Sequence, residues 1–212
     1  MTYAELKDEV SILVRDASPE IVNRIPNAIN ETLLAFAAME RIPELMTFGA
    51  FTTVEDQDMC SAPAGFSGRL LKVGTKSQEI VIHPGGLEGL LGDCDNFGTA
   101  IGEVSMVAQE GTNFWYFKRP EAPATYPILY QAEATELVAD GDTLPRWLPD
   151  YFGRGLIAHG AAAILYNIIE DGIEGDKINT AAQLGLAKSY ADKYKTFLAM
   201  NRKGYNISIW GI

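Results

Sequence analysis

The 212-residue chain carries only two cysteines and two histidines, and that scarcity closes several routes to function at once. Cys60 and Cys94 stand far apart and form no C-x-x-C pair, so neither a redox dithiol nor a thiolate zinc cage is encoded. They are expected as reduced, half-buried thiols. His83 precedes Pro84-Gly85-Gly86 and is expected in a loop. His159 lies in a small-residue helix and is expected as a hydrogen-bonded interior or interface residue. Neither has a second His or Cys at metal-ligand spacing. Cations are scarce too: 17 Lys and Arg against 28 Asp and Glu leave a formal net charge of -11. Such a surface repels nucleic-acid phosphates and anionic lipids, which argues against a DNA-gripping or membrane-binding module. It leaves DNA free to pass nearby without being held. Long apolar runs are also missing, since Leu156 to Ile169 is interrupted by His159, Gly160 and Asn167. That stretch reads as too short and too polar for a membrane span. Residues 1–5 lack the basic and apolar regions of a signal peptide, so assembly in a cytoplasm is expected.

Chemistry-bearing motifs are equally sparse. There is no G-x-S-x-G elbow, no P-loop and no dinucleotide fingerprint. Asp93-Cys94-Asp95-Asn96-Phe97-Gly98 superficially has the look of a calcium loop. It fails where Phe97 and Val104 replace oxygen donors, and reads as an acidic turn. No catalytic residue, metal site or cofactor is therefore expected, and the chain reads as a non-enzyme.

What is present is patterning. At 47% hydrophobic and 21% charged, the composition suits a folded domain. Thr2 and Glu5 have capping-box spacing, followed by a stripe of Leu6, Val10, Leu13 and Ala17. Ser18-Pro19 restarts a helix with Ile21, Ile25, Ile29, Leu33 and Phe36 on one face, and Pro26 inside the pattern either kinks it or marks its true start. Between Met46 and Leu137, short β-branched and aromatic runs alternate with Gly, Pro and Asp clusters. Strands are expected over 51–54, 69–73, 79–83, 103–109, 113–118 and 126–133, with Gly111-Thr112 as a tight turn. The glycine-rich stretch 84–102 reads as a long loop or short helix over the sheet.

A third helix from Asp150 to Ile169 is apolar on most sides and rich in small residues. It belongs in the centre of a bundle or against a second subunit, and Gly155, His159 and Ala162 are the candidate subunit-interface residues. Thr180 and Gln183 have capping-box spacing for a fourth helix with Leu184, Ala187, Tyr190 or Ala191, Tyr194 and Phe197 on its inner face. After Arg202-Lys203-Gly204, the tail alternates Tyr205, Ile207 and Ile209 with smaller residues, then ends Trp210-Gly211-Ile212. Leaving such side chains in water forgoes roughly 1.5–3 kcal/mol each. The tail is expected either to add as a strand to its own sheet or to dock on another subunit.

The expected fold class is α+β. A mainly α-helical bundle (1–46 and 138–201) carries an inserted β-rich antiparallel-sheet domain (47–137) and an extended C-terminal arm (202–212). The strand Phe114-Trp115-Tyr116-Phe117-Lys118-Arg119 could stack bases on its aromatics, but the acidic balance favours a purely structural strand with aromatics on both faces.

Element order then points to a family. Ile25-Pro26-Asn27-Ala28-Ile29-Asn30-Glu31 precedes the β-rich insert. Phe114 to Pro120 followed by Tyr126-Pro127-Ile128-Leu129-Tyr130 looks like a recurring hairpin, and Leu144-Pro145 through Asp150-Tyr151 leads into an Ala-rich helix. Together these resemble the head-to-tail adaptor (head completion, or connector) proteins of tailed bacteriophages. The ending from Tyr190 to Trp210 is similar to that of the podovirus-type tail tubular protein A. The stretch 84–102 departs from the pattern.

The resemblance implies a virion structural protein at the head–tail junction. It implies a homo-oligomeric, dodecameric ring between the portal protein and a downstream tail or nozzle protein, with packaged DNA in its bore. It also implies a C-terminal arm docked on the portal through Tyr205, Ile207, Ile209 and Trp210. A tail-completion or stopper component is the alternative from the same assembly. A small hydrolase using carboxylates of the insert is the alternative from another class.

Overall fold

The computed structural model describes residues 1–16, 18–63, 66, 68–75, 79–170 and 177–202. The chain is a mixed α/β protein divided into two units. One comprises Met1–Glu40 with the described residues from Ala134 onward, and the other is Arg41–Glu133.

In the first unit, helix α1 (Tyr3–Val14) starts at the capping box its sequence encodes. The Thr2 hydroxyl accepts from the Glu5 amide at 3.3 Å, and the Glu5 carboxylate accepts from the Thr2 amide at 2.8 Å. Arg15 ends the helix in the left-handed region at φ 56°. Tyr3, Leu6, Val10 and Val14 are buried. Helix α2 (Pro19–Met39) opens on Pro19 and buries Ile21, Ile25, Ile29, Leu33 and Phe36, as the periodicity requires. It runs on through Pro26, whose ring removes one ladder donor without ending the helix. Asn30 reaches across to the returning chain, donating to the Leu137 carbonyl at 3.0 Å and accepting from its amide at 2.9 Å.

The next helical run spans Asp150–Glu170. It comprises α4 (Asp150–Phe152), a π-helical segment Gly153–Ala158 and α5 (His159–Glu170). At 21 residues and a mean hydropathy of 1.2 it is long and apolar enough to cross a membrane, contrary to the shorter run read from sequence. However, 56% of that apolar window is buried inside the protein, as in the core helix of a soluble domain. Helices α1, α2 and α6 (Ile178–Arg202) pack against this run. Tyr166 Oη lies 3.0 and 3.1 Å from the carbonyls of Leu13 and Val14, satisfying acceptors at the end of α1.

The second unit is a seven-stranded sheet with strand order β1-β7-β3-β4-β5-β6-β2. The strands are β1 (Met46–Thr52), β2 (Met59–Ser61), β3 (Gly68–Gly74), β4 (Glu79–Ile82), β5 (Met106–Glu110), β6 (Asn113–Phe117) and β7 (Thr125–Ala132). The sheet curls enough for strands far apart in its order to share one core. Phe51 of β1 meets Phe114 of β6 with ring centroids 5.2 Å apart, and Phe66 bridges Phe114 and Tyr130 at 5.0 and 4.8 Å. Edge-to-face and tilted ring pairs of this kind add to the area they bury.

Two expectations are corrected here. The insert is not wholly antiparallel, because β4 and β5 pair in parallel, Val81 with Met106 and Ile82 with Val107. Parallel neighbours need a crossover, and the glycine-rich stretch supplies it through helix α3 (Gly86–Asp93). The aromatic strand and the strand ending in Tyr130 do not form a hairpin. β6 pairs with β5 and β2, whereas β7 pairs with β1 and β3. The Gly111-Thr112 turn does join β5 to β6, with Glu110 opposite Asn113.

Candidate assembly surfaces

Strand β6 divides its aromatics between two faces. Phe114 and Tyr116 enter the enclosed core, while Trp115 and Phe117 point to the other side. There they meet Leu87, Leu90, Cys94 and Phe97 from α3 and the turn that follows it. The aromatic run is therefore engaged by its own fold on both faces. Tyr116 Oη accepts from the Val54 amide and donates to the Met59 carbonyl, both at 3.2 Å, and burial pushes the phenol up to about 12.

The glycine-rich cover is held by His83. Its Nδ1 accepts from the Gly85 amide at 3.2 Å, which leaves Nε2–H to donate to Asp93 at 2.9 Å. Gly89 lets the helix sit on the imidazole, since a Cβ there would lie 2.6 Å from His83 Cε1. His83 is thus a clamp in a turn. Among the described residues, no group of His, Cys, Asp and Glu is placed to hold a metal ion. Cys60 and Cys94 are buried free thiols in separate clusters.

In the helical unit, the small residues make close approach possible within the chain. A Cβ on Gly155 would fall 2.3 Å from the Tyr190 ring, and one on Gly160 would fall 2.4 Å from Thr32 Cγ2. Ala162 has no exposed surface. Of the three candidate interface residues, Gly155 and Ala162 are thus buried in their own unit, and only His159 keeps some exposure. His159 Nδ1–H donates to Gln183 Oε1 at 2.6 Å, and its ring stacks near Tyr190 at 6.0 Å.

Helix α6 begins differently from the expected Thr180 cap. It starts at Ile178, and the Glu170 carboxylate accepts from the amides of Asn179 and Thr180, each at 3.1 Å, and from the Thr180 hydroxyl at 2.7 Å. A carboxylate from the preceding helix caps the orphan donors, and the Thr180 hydroxyl is its principal partner in lowering its pKa. Its inner face also differs from expectation. Ala187, Tyr194 and Leu198 are buried, with Tyr194 in contact with Phe36, Phe152 and Phe197 and donating to the Trp147 carbonyl. Leu184 and Phe197 are 43% and 37% exposed.

An outward face of α6 is apolar as well. Ile178, Ala182, Leu186, Ser189, Lys193, Phe197 and Met200 recur at three- and four-residue steps and so fall on one side of a helix. Ile178 and Met200 are 65% and 69% exposed. Sequence reasoning missed this stripe because it assigned Phe197 to the core. Tyr205, Ile207, Ile209 and Trp210 lie outside the described residues.

The sequence matches the family model described as SU10 adaptor protein over residues 1–205. The chain belongs to the SU10 adaptor protein family. This is a family of structural adaptors of bacteriophage, so the adaptor's role is structural and virion-borne. Membership of an adaptor family implies interaction with other phage head and tail components. The match spans both units but stops short of Ile207, Ile209 and Trp210. No curated protein matches the chain.

Proposed function

We propose that this adaptor forms a dodecameric ring at the head–tail junction, bound to the portal protein on one side and a downstream tail protein on the other. The observation that carries the reading is the SU10 adaptor match over 1–205, which takes in both units. The charge supports it. A net -11 protein around packaged DNA repels the duplex and lets it slide through a bore without being gripped. The portal contact is assigned to the tail residues Tyr205, Ile207, Ile209 and Trp210, whose apolar side chains gain from a partner surface. His159 is the subunit-interface candidate retained from the helical core.

The test is co-assembly of the purified chain with portal, followed by negative-stain imaging and pull-down, using the full chain and a truncation after Lys203. The full chain should form rings on portal. The truncation should lose portal binding while its circular dichroism stays unchanged. Binding to tail-tube protein in place of portal would move the adaptor to a stopper position, and full portal affinity in the truncation would refute the tail assignment.

A further inference from the structure

In an acidic protein, α6 is a basic helix. It carries Lys188, Lys193, Lys195 and Arg202 against Asp192 alone, a net +3, while the whole chain is -11. Lys195 pairs with Glu40 at 2.9 Å. Lys193 lies within the outward apolar stripe, between Leu186 and Phe197, with Lys188 exposed alongside. That combination of exposed apolar side chains and positive charge lacks a counterpart on its own helix. Helix α1 has the complementary pattern. Glu5, Asp8 and Ile12 are exposed at i, i+3 and i+7, hence on one face, and Ile12 is 69% exposed. Both helices pack on the run Asp150–Glu170 and present these faces away from it.

We infer that the outward stripe of α6 in one copy docks antiparallel on the acidic face of α1 in the next copy, with Asp8 facing Lys193 and Ile12, one turn along, against Leu186. The occupant is fixed by complementarity. A negative partner surface with one large apolar anchor is what an apolar stripe centred on a lysine selects, and like-charged juxtapositions are disfavoured. Two different patches meeting make a heterologous contact, the type that closes into rings. The lengths allow it, since α1 at about 18 Å covers about half of the α6 stripe at roughly 33 Å. A single helix pair is smaller than a standard interface of about 800 Å² per partner, so one contact is weak alone and gains strength when a ring closes on a template. The inference rests on the ring reading above and names the surfaces that build it.

The experiment uses full-length chains. Ile12→Cys and Leu186→Cys variants are mixed under mild oxidation with portal present, the native thiols being buried. A disulfide-linked heterodimer should form from the mixture and from neither variant alone. Lys193→Glu should weaken ring formation on portal by roughly tenfold or more, and adding Asp8→Lys should restore most of it, a reversal that mere misfolding would not produce. Circular dichroism of each variant should match the parent chain. No cross-link above that of an Asn113→Cys control, or normal ring yield with Lys193→Glu, overturns the contact and leaves the ring reading intact. Absence of rings from the unmodified chain on portal overturns the ring reading itself.

Discussion

Substituting Gly155 by Ala isolates the role of the small-residue helix. The added methyl would fall 2.3 Å from Cδ1 and Cε1 of Tyr190 and 2.4 Å from its Cγ. Ordinary carbon contacts are about 3.5–4.0 Å, so the ring or the helix must shift by more than an ångström. The ring has little freedom to do so. It lies edge-to-face against Tyr151 at 5.6 Å, stacks near His159 at 6.0 Å and sits under the Lys193 ammonium at 4.8 Å. Overpacking costs about 1–3 kcal/mol, while Ala in place of Gly returns roughly 0.5–1 kcal/mol of helix propensity. With three ring atoms inside 2.5 Å the overpacking cost lies in the upper part of that range, so the net expectation is a loss of about 1–2 kcal/mol. For a protein of this size that corresponds to a midpoint lower by roughly 2–8 °C. Thermal unfolding followed at the helical circular dichroism band measures it. Shortening the ring with Tyr190→Leu should reverse the sign, making Gly155→Ala neutral or stabilising in that background. Wild-type or higher stability for Gly155→Ala alone would show that the glycine is not needed for internal packing and would return it to the subunit interface.

Thr2→Ala removes the hydroxyl half of the capping box and should lower stability by about 1 kcal/mol, read as a midpoint shift in urea titration. The Glu170 carboxylate, held below its usual 4.5 by the Thr180 hydroxyl and the amides it caps, stabilises the fold above that value. Its contribution is lost as pH falls through the lower folded value. Glu170→Gln should therefore be less stable than the parent at pH 7, with the difference shrinking on acidification; a constant difference would exclude the charged cap. Burial pushes the Cys60 thiol up to about 11, so at pH 8 it should resist alkylation until denaturant is added, as followed by mass spectrometry.

The secondary structure was legible wherever a local rule set it. The Thr2 and Glu5 pair, the Ile21-to-Phe36 stripe and the Gly111 turn each specify geometry within a few residues, and each formed as read. Misreadings came where a distant residue decided. Thr180 has the spacing of a cap, but the Glu170 carboxylate reaches the α6 donors first. Phe114 to Pro120 and Tyr126 to Tyr130 have the spacing of a hairpin, but each strand pairs elsewhere because β3, β4 and β5 lie between them in the sheet. The glycine-rich stretch, read as a long loop or short helix, holds the short helix α3, with Leu87 and Leu90 packed toward Trp115 and Phe117.

Composition and short-range pattern alone determined the charge, the lack of metal-ligand spacing, the alternation of helical and β-rich stretches and the order of elements that marks an adaptor. Those properties depend on residue types and on the helix and strand periods. Tertiary structure decided which apolar faces are used up. Gly155 and Ala162 are buried within the chain, whereas Ile12, Ile178 and Met200 remain exposed. A period marks a face, but only packing against a second element says whether that face is covered, because burial is a property of neighbours that the chain brings together from far apart.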